Sequence, residues 1–368
     1  MAKKNNQDCL KKLIAMREKV NWEIEDERRE FLVQLNPLVK DWKGKLPNLR
    51  DIFRKGEIDW LLLENEASDI SPKVSLIKFV IKTGYKDEPK VDENGELLFR
   101  RTTELHRANK WTFDVRNLFK VYDRFDVNYT DESGLTHLHM ACKHGFDYFV
   151  EKFLRLGQDP NCVCQETGDS PLHSTVIWDT RTNNRMIKLL LEHGANPNLA
   201  NNDGSTPMHI ICKNMLDMST AAEPFFETHD RKHHTVLFNA QDKWDQTPLH
   251  YALAEGSQRI AQMLLERGAD RNVVNAEGST PLHVLTFFKI DDKVNQAIKV
   301  DVRDKLGRTP LQLAVAGVMP NTVNILLNHG ADLSEFIFPT LSHFNKAINY
   351  IYDKLRIACR LQLVVAHL

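Results

Sequence analysis

A four-residue pattern recurs along this chain of 368 residues and constrains its fold more than any other feature. Thr-Pro-Met-His begins at residue 206, and Thr-Pro-Leu-His begins at residues 247 and 280. With looser copies, the first positions fall at 103, 136, 170, 206, 247, 280 and 309, at intervals of 33, 34, 36, 41, 33 and 29 residues. A period near 33 residues is typical of repeat proteins, in which each repeat contacts only its neighbours and none folds alone.

A second signature follows the first at a similar offset. Gly-Gln-Asp-Pro-Asn begins at residue 157, Gly-Ala-Asn-Pro-Asn at 194, and Gly-Ala-Asp at 268 and 330. Together the two signatures resemble the ankyrin repeat, and the resemblance covers about residues 97–333. It implies an all-α fold, an α-solenoid of seven stacked helix-turn-helix repeats with β-hairpin-like loops.

The physical chemistry of each position agrees with this interpretation. Thr can cap the N-terminus of a helix, and Pro suits the first helical position. The His of each signature can hydrogen-bond to the Thr hydroxyl and to the backbone of the neighbouring repeat. A glycine two residues before the Thr fits a hairpin tip with positive φ, and a second helix should end at Gly194 or Gly268. The tip glycines are Gly134, Gly168, Gly204 and Gly278.

Four segments depart from the regular pattern. Residues 1–48 are predicted to form a charged helical segment that ends near Asn36-Pro37, and residues 49–96 a degraded capping repeat. The interval of 41 residues predicts a solvated insertion over 215–234. Residues 334–368 are predicted to form a C-terminal capping helix.

Composition excludes several classes of protein. The chain has 49 Lys and Arg against 50 Asp and Glu, so it carries no basic region that would indicate a nucleic-acid partner. It contains no apolar run long enough for a membrane span and no secretory signal at its start, so we expect no membrane partner. Six cysteines in a chain of this length do not form a disulfide framework. We therefore expect a cytoplasmic or nuclear protein.

The fifteen histidines invite a search for metal or catalytic sites. Six of them occupy the repeat signature and two precede a helix-ending glycine, so we expect structural roles for them. His229 and His233 stand four residues apart, a spacing that can place two imidazoles on one metal in a helix, but no second pair supplies the other ligands. No phosphate-binding loop or nucleophile elbow occurs. We expect no cofactor, no metal and no enzymatic activity; a metal-dependent enzyme that uses the insertion is the alternative.

The remaining candidate site is the exposed surface. The resemblance implies non-catalytic binding of another protein through a concave face, formed by hairpin tips and the exposed side of the first helices. Trp244 is the best anchor because a hairpin tip has no neighbouring core to bury an indole. Trp178 is a second candidate anchor. If it is structural and not part of the binding surface, we expect it to pack under a neighbouring irregular loop. The predicted binding residues are Lys143, His144, Glu166, Trp178, Asp203, Lys213, Lys243, Trp244, Glu255 and Glu277.

The C-terminal segment suggests another function. Leu355, Cys359 and Leu363 have the spacing of the elongin-binding box that ends some ankyrin proteins acting as substrate adaptors of ubiquitin ligases. The segment departs from that family at Lys354, where a small residue is usual, and the chain ends five residues after Leu363. The alternative is a purely structural role, in which this helix covers the apolar side of the last repeat.

Overall fold

The computed structural model describes residues 2–40, 42, 45–67, 76–108, 115–177, 184–214, 218–230, 235–284, 299–317, 319–334 and 336–337. Two compact units divide the chain, Met1–Asp159 and Pro160–Leu368. In the described part of the chain the regular elements are helices, and strand pairing occurs only as isolated bridges. The predicted all-α fold is confirmed.

The first unit begins with two helices and a cap, followed by two repeats. Its helices are α1 (Ala2–Glu18), α2 (Glu25–Lys40), α3 (Lys55–Ala67), α4 (Leu76–Lys82), α5 (Glu104–Arg107), α6 (Val115–Val121), α7 (His137–Lys143) and α8 (Asp147–Arg155), and a 3-10 turn covers Leu49–Asp51. The pairs α5/α6 and α7/α8 follow the signatures that begin at Thr103 and Thr136. Stacked Phe119 and Phe149, with ring centroids 4.6 Å apart, belong to the apolar core of these two repeats.

The second unit contains the remaining repeats. Its helices are α9 (Pro171–Ile177), α10 (Asn184–Glu192), α11 (Pro207–Lys213), α12 (Ser219–Asp230), α13 (Pro248–Ala254), α14 (Gln258–Glu266), α15 (Pro310–Ala316) and α16 (Pro320–Asn328). The repeat that begins at Thr280 starts with a 3-10 turn, Pro281–Val284. Each first helix starts directly after its signature Thr or Ser, as the sequence predicts.

The N-terminal segment is helical, as expected, but the helix does not end near Asn36-Pro37. Its described residues form two helices, and the second, α2, continues through Pro37 to Lys40. Pro37 lies in the last turn, where it removes one backbone hydrogen bond, and the continued turn buries Val39. The segment also packs on the cap, because the Trp22 ring lies 6.0 Å from that of Trp60.

The expectation of a solvated insertion over 215–234 is also wrong. Residues 219–230 form α12, which packs against α10 and α14 and serves as the second helix of its repeat. Phe225 and Phe226 on this helix are fully buried. The insertion was misplaced because the apolar pattern of α12, interrupted by Pro224, differs from that of the other second helices.

Candidate functional site

The signature histidines join each repeat to the next. In the second unit, the Nδ1 atom of His250 accepts a hydrogen bond from the Thr247 backbone N–H at 3.1 Å, and its Nε2 atom bonds to the carbonyl of Ser279 at 3.0 Å. His173, His209 and His283 make the same contacts with the carbonyls of Ser205, Gln246 and Arg308. An imidazole that accepts at Nδ1 and donates at Nε2 is neutral. These contacts confirm the structural role predicted for them.

Hairpin tips precede the first helices, and five of the described tips are closed by an Asp or Asn side chain. Asp242 Oδ1 accepts hydrogen bonds from the backbone N–H groups of Trp244 and Gln246, both at 3.0 Å. The first residue of four other tips makes the same two bonds: Asp131, Asn201, Asn275 and Asp304. At the fourth position of the tip, Asp245 has φ = 56° where the other tips have glycine. Asp245 thus takes the place of the tip glycine in a left-handed backbone conformation.

Backbone hydrogen bonds link successive tips of the second unit into a row. The second residue of one tip donates its N–H to the carbonyl of the third residue of the tip before it. The bonds are Asn202 to Thr167, Lys243 to Asp203, Ala276 to Trp244 and Lys305 to Glu277, at 2.9, 2.9, 3.0 and 2.9 Å. We call these tips the tip row.

Trp244 is the exposed aromatic residue of the tip row. Its side chain is 44% exposed, and the Lys243 ammonium lies 4.4 Å from its ring centroid. Lys213, at the end of α11, approaches the same ring at 5.1 Å. The indole is therefore held by two cations and still offers nearly half of its surface to a ligand.

Lys213 also contacts groups that the sequence analysis missed. Its ammonium lies 4.4 Å from the ring centroid of Tyr251 and 3.6 Å from the carboxylate of buried Asp242. The Tyr251 hydroxyl donates to Asp242 at 2.6 Å. Burial, together with this hydrogen bond, raises the pKa of Tyr251. The sequence could have indicated Tyr251 only by its position directly after the signature His250.

The other predicted binding residues are not all brought together. Asp203 pairs with Lys243 in the tip row. Glu166, Glu255 and Glu277 are exposed in the second unit. Trp178 lies outside the described residues.

Lys143 and His144 belong to the first unit and are half-buried. Burial lowers the pKa of both side chains, that of His144 to about 4. The His144 ring stacks on that of Phe146, with ring centroids 5.9 Å apart, so this pair offers only part of its surface, and its role in binding stays a prediction.

A polar network in the first unit was not predicted. Arg101 donates to Asp87 at 2.8 Å and to Asp59 at 2.7 Å, and the Tyr129 hydroxyl donates to Asp87 at 2.6 Å. Although burial alone would raise the pKa of Asp87, hydrogen bonds from Arg101 and Tyr129 hold it below its usual range. The network joins α3 to the first repeat, and none of its members belongs to the four-residue signature.

Glu104 lies beside this network at the start of α5. Burial raises its pKa to about 8, and the Tyr122 hydroxyl donates to its carboxyl group. Its hydrogen-bond partner and the surrounding helices make it a structural group.

The predictions of a metal site in the insertion and of an elongin-binding helix fall on residues that the structure does not describe. No group of three or more His, Cys, Asp or Glu that could hold a metal ion occurs among the residues that it does describe. The side chain of His229, all of His233 and the segment 355–363 lie outside the described residues. No helix in the described part of the chain is long and apolar enough to cross a bilayer.

Comparison with known proteins agrees with the repeat architecture. The family model of ankyrin repeats in three copies matches residues 105–200, 138–223, 183–275 and 225–295, and the single-repeat model matches 306–335. The chain belongs to the ankyrin-repeat proteins.

Curated relatives resemble parts of this chain. Human BCL-6 corepressor-like protein 1 is 40% identical over 122 residues, which cover 33% of this chain and 6% of that protein. The mouse B-cell lymphoma 3 protein homolog is 27% identical over 228 residues, covering 59% and 41% of the two chains. This chain thus spans less than half the length of either relative. The crystal structure of the Bcl-3 ankyrin repeat domain is 25% identical and covers 55% of this chain and 89% of that one, with a TM-score of 0.45.

Proposed function

We propose that the chain is a non-catalytic scaffold that binds another protein through the tip row of the second unit, with Trp244 as the central anchor. Ankyrin repeats support a protein-interaction role in general. We choose this surface because the indole of Trp244 is half-exposed and is held in place by Lys213 and Lys243. Aromatic side chains that are held rigid and still exposed are the usual anchors of protein interfaces.

The charges around the anchor support a partner of mixed polarity. Lys243 and Asp203 form one ion pair, and Lys213 lies beside Asp242, so the two cations are each balanced by a carboxylate. Such a surface offers an apolar contact at the indole and polar contacts at its rim, the usual arrangement of a non-obligate interface. The proposed partner is therefore a folded or extended protein segment with an apolar side chain at its centre.

The compartment proposed for this activity is the cytoplasm or the nucleus. Five described cysteines, at positions 9, 142, 162, 164 and 212, are free thiols. Free thiols agree with a reducing compartment.

The experiment compares Trp244→Ala with a matched control. Val274 is 46% exposed in the same unit but lies outside the tips, so Val274→Ala removes a similar exposed apolar group. Partners are first identified by affinity purification with mass spectrometry, and the binding of the purified partner is then measured. We expect Trp244→Ala to weaken binding at least tenfold, with a melting temperature close to that of the unmodified chain, and Val274→Ala to bind normally. A Trp244→Ala protein that is destabilised but still binds would contradict the proposal.

A further inference from the structure

The first unit carries a hairpin that differs from every tip described above. Residues 90–99 form it, and we call it the projecting hairpin. Asp92 Oδ1 accepts hydrogen bonds from the N–H groups of Asn94 and Glu96, at 2.9 and 2.8 Å, as the first residue of a tip does. Gly95 has φ = 82°, so residues 92–95 form a tip. However, Gly95 stands eight residues before the signature Thr103, whereas Gly134 stands two residues before Thr136.

The six additional residues change which backbone groups pair with the next repeat. The N–H of Thr130 donates to the carbonyl of Phe99 at 2.9 Å, and the N–H of Arg101 donates to the carbonyl of Thr130 at 2.9 Å. These bonds form a parallel bridge between Arg100 and Thr130. The next repeat thus pairs with the base of the hairpin, and the tip at 92–95 extends beyond it.

The outer edge of the projecting hairpin has backbone groups that face outward. Its two internal bonds run from Leu98 N–H to the Lys90 carbonyl and from Asp92 N–H to the Glu96 carbonyl, at 2.9 and 2.8 Å. Val91 and Leu97 therefore form a non-hydrogen-bonded antiparallel pair. In such a pair the N–H and C=O of each residue face away from the other strand. The N–H and C=O of Val91 are consequently oriented to pair with a further strand.

An apolar stripe lies on one face of the same hairpin. Val91 and Leu97 are directly opposite each other, and Phe99 is on the same face two residues further along. Val91 is 56% exposed, Phe99 is 48% exposed, and Leu97 is half-buried. An extended ligand that pairs with Val91 would place alternate side chains against this stripe.

The tip of the hairpin is acidic. Asp92, Glu93 and Glu96 carry three carboxylates within five residues. Neither Glu93 nor Glu96 forms an ion pair with another described residue. The charge at this end favours a ligand with a basic residue near the tip.

We propose that the projecting hairpin binds an extended segment of another protein by strand addition. The segment has alternating apolar residues and a basic residue at the end that lies beside the acidic tip. Its backbone pairs with Val91, and its apolar side chains pack beside Val91 and extend the apolar stripe that Leu97 and Phe99 continue on the other strand. Free main-chain groups select an extended ligand over a helix, because a helix has no lateral N–H and C=O groups to offer. This binding surface lies in the first unit and is separate from the tip row.

A synthetic peptide of sequence acetyl-Lys-Val-Thr-Val-Thr-Val-amide tests the proposal on the full chain. Binding is measured by backbone NMR chemical shifts and by amide hydrogen exchange. We expect the peptide to slow exchange of the Val91 amide at least tenfold. A peptide N-methylated at the pairing nitrogens should bind at least tenfold more weakly, and replacement of its Lys by Glu should weaken binding at least threefold.

Two protein variants distinguish hydrogen bonding to the backbone of Val91 from apolar contact alone. Val91→Pro removes the outward N–H without removing a bond of the hairpin, and Val91→Thr is its control because it keeps the N–H and the β-branched shape. We expect Val91→Pro to bind at least tenfold more weakly and Val91→Thr to bind within threefold of the unmodified chain. Protection of the Leu98 amide reports that the hairpin is intact in both.

Several results would overturn the proposal. They are equal binding of the N-methylated peptide, protection confined to amides of the helices, or no exchange effect at millimolar peptide. Concentration-dependent dimerisation that Val91→Pro abolishes would show that a second copy of this chain occupies the edge instead.

Discussion

At the scale of single residues, substitutions in the tips can distinguish the cost of backbone strain from the cost of a steric contact. Asp245 is the non-glycine residue with positive φ in the described chain, at the position where the neighbouring tip has Gly278. Asp245→Gly relieves about 1 kcal/mol of backbone strain, and the larger entropy of the unfolded glycine chain offsets roughly 0.5 kcal/mol of it. We expect a net stabilisation of about 0.5 kcal/mol, measured as a higher midpoint of urea unfolding.

Introducing a side chain at Gly278 should have the opposite effect and lower the stability of the second unit. A Cβ atom there would lie 3.1 Å from the Lys305 backbone nitrogen, within the bond that joins two tips. Gly278→Val should destabilise the second unit by about 1–3 kcal/mol. Gly307→Val has the same strain, with φ = 73°, and no atom within 4 Å of the Cβ position, so its smaller loss measures strain alone. Equal losses at the two glycines would contradict a contact effect at Gly278.

The signature histidines predict a dependence of stability on pH. Burial lowers the pKa of His250 to about 4 from about 6.5 in the unfolded chain. The folded state therefore favours the neutral ring, and the stability that depends on it is present above pH 6.5 and is lost as pH falls towards 4. The loss for this residue approaches about 3 kcal/mol.

Gln312 shows which residue can replace this histidine. In its repeat the Thr309 N–H donates to Gln312 Oε1 at 2.9 Å, and Gln312 Nε2 donates to the carbonyl of Ile337 at 3.2 Å. An amide thus makes both contacts of the imidazole without a titrating group. We expect His250→Gln to keep the fold at pH 7 and to reduce the loss of stability between pH 6.5 and 4, measured by chemical unfolding at each pH. An unchanged pH dependence would assign the acid transition to other groups.

At the scale of elements, the sequence predicts a helix well where its capping residues are regular. Thr136 and Thr309 begin helices at the expected residues, and their side chains accept from the backbone N–H of His139 and Gln312. The prediction was wrong at α12. The longer interval of 41 residues indicated a solvated insertion, but the apolar residues of this segment form the buried face of a helix. The prediction also missed the tip at 92–95, since the six following residues moved it away from Thr103. Burial is a property of the packed chain, so the spacing of one segment does not reveal it.

Helix α12 can be tested by removing one buried side chain. Phe225 is fully buried, and truncation of a buried aromatic residue destabilises by about 3–5 kcal/mol. We expect a loss of this size for Phe225→Ala in urea unfolding followed by far-ultraviolet circular dichroism. Thr220→Ala, at an exposed position of the same helix, should change stability by no more than about 0.5 kcal/mol. A negligible loss for Phe225→Ala would restore the interpretation of a solvated insertion.

At the scale of the whole molecule, Glu104 gives the first unit a pH dependence of the opposite sign to that of His250. Its pKa is raised to about 8 by burial, above about 4.3 in an unfolded chain. The folded state favours the neutral carboxyl group, so the associated stability is present below pH 4.3 and is lost as pH rises towards 8.

Glu104→Gln should therefore stabilise the first unit at alkaline pH. The amide keeps an acceptor for the Tyr122 hydroxyl and cannot ionise. We expect the variant to match the unmodified chain near pH 4.5 and to be more stable at pH 9, as measured by amide hydrogen exchange of α5 and α6. Exchange in α13 should be unchanged because each repeat contacts only its neighbours. A stabilisation that is equal at both pH values would point to packing rather than ionisation.

The closure of the tips by their first residue has a consequence for how this chain can acquire new ligands. In five tips, Asp or Asn at the first position and a left-handed residue at the fourth carry the conformation. The second and third residues join the tip row through main-chain atoms, and Asn202, Asp203 and Lys243 also contribute their side chains. Most of these side chains are therefore open to change at a small cost in stability. Proline is the exception at both positions, because the N–H of the second residue pairs with the preceding tip and that of the third residue donates to the side chain of the first. Random substitution at 202, 203, 243, 244, 276, 277, 305 and 306 should yield a library in which most members fold and differ chiefly in what they bind.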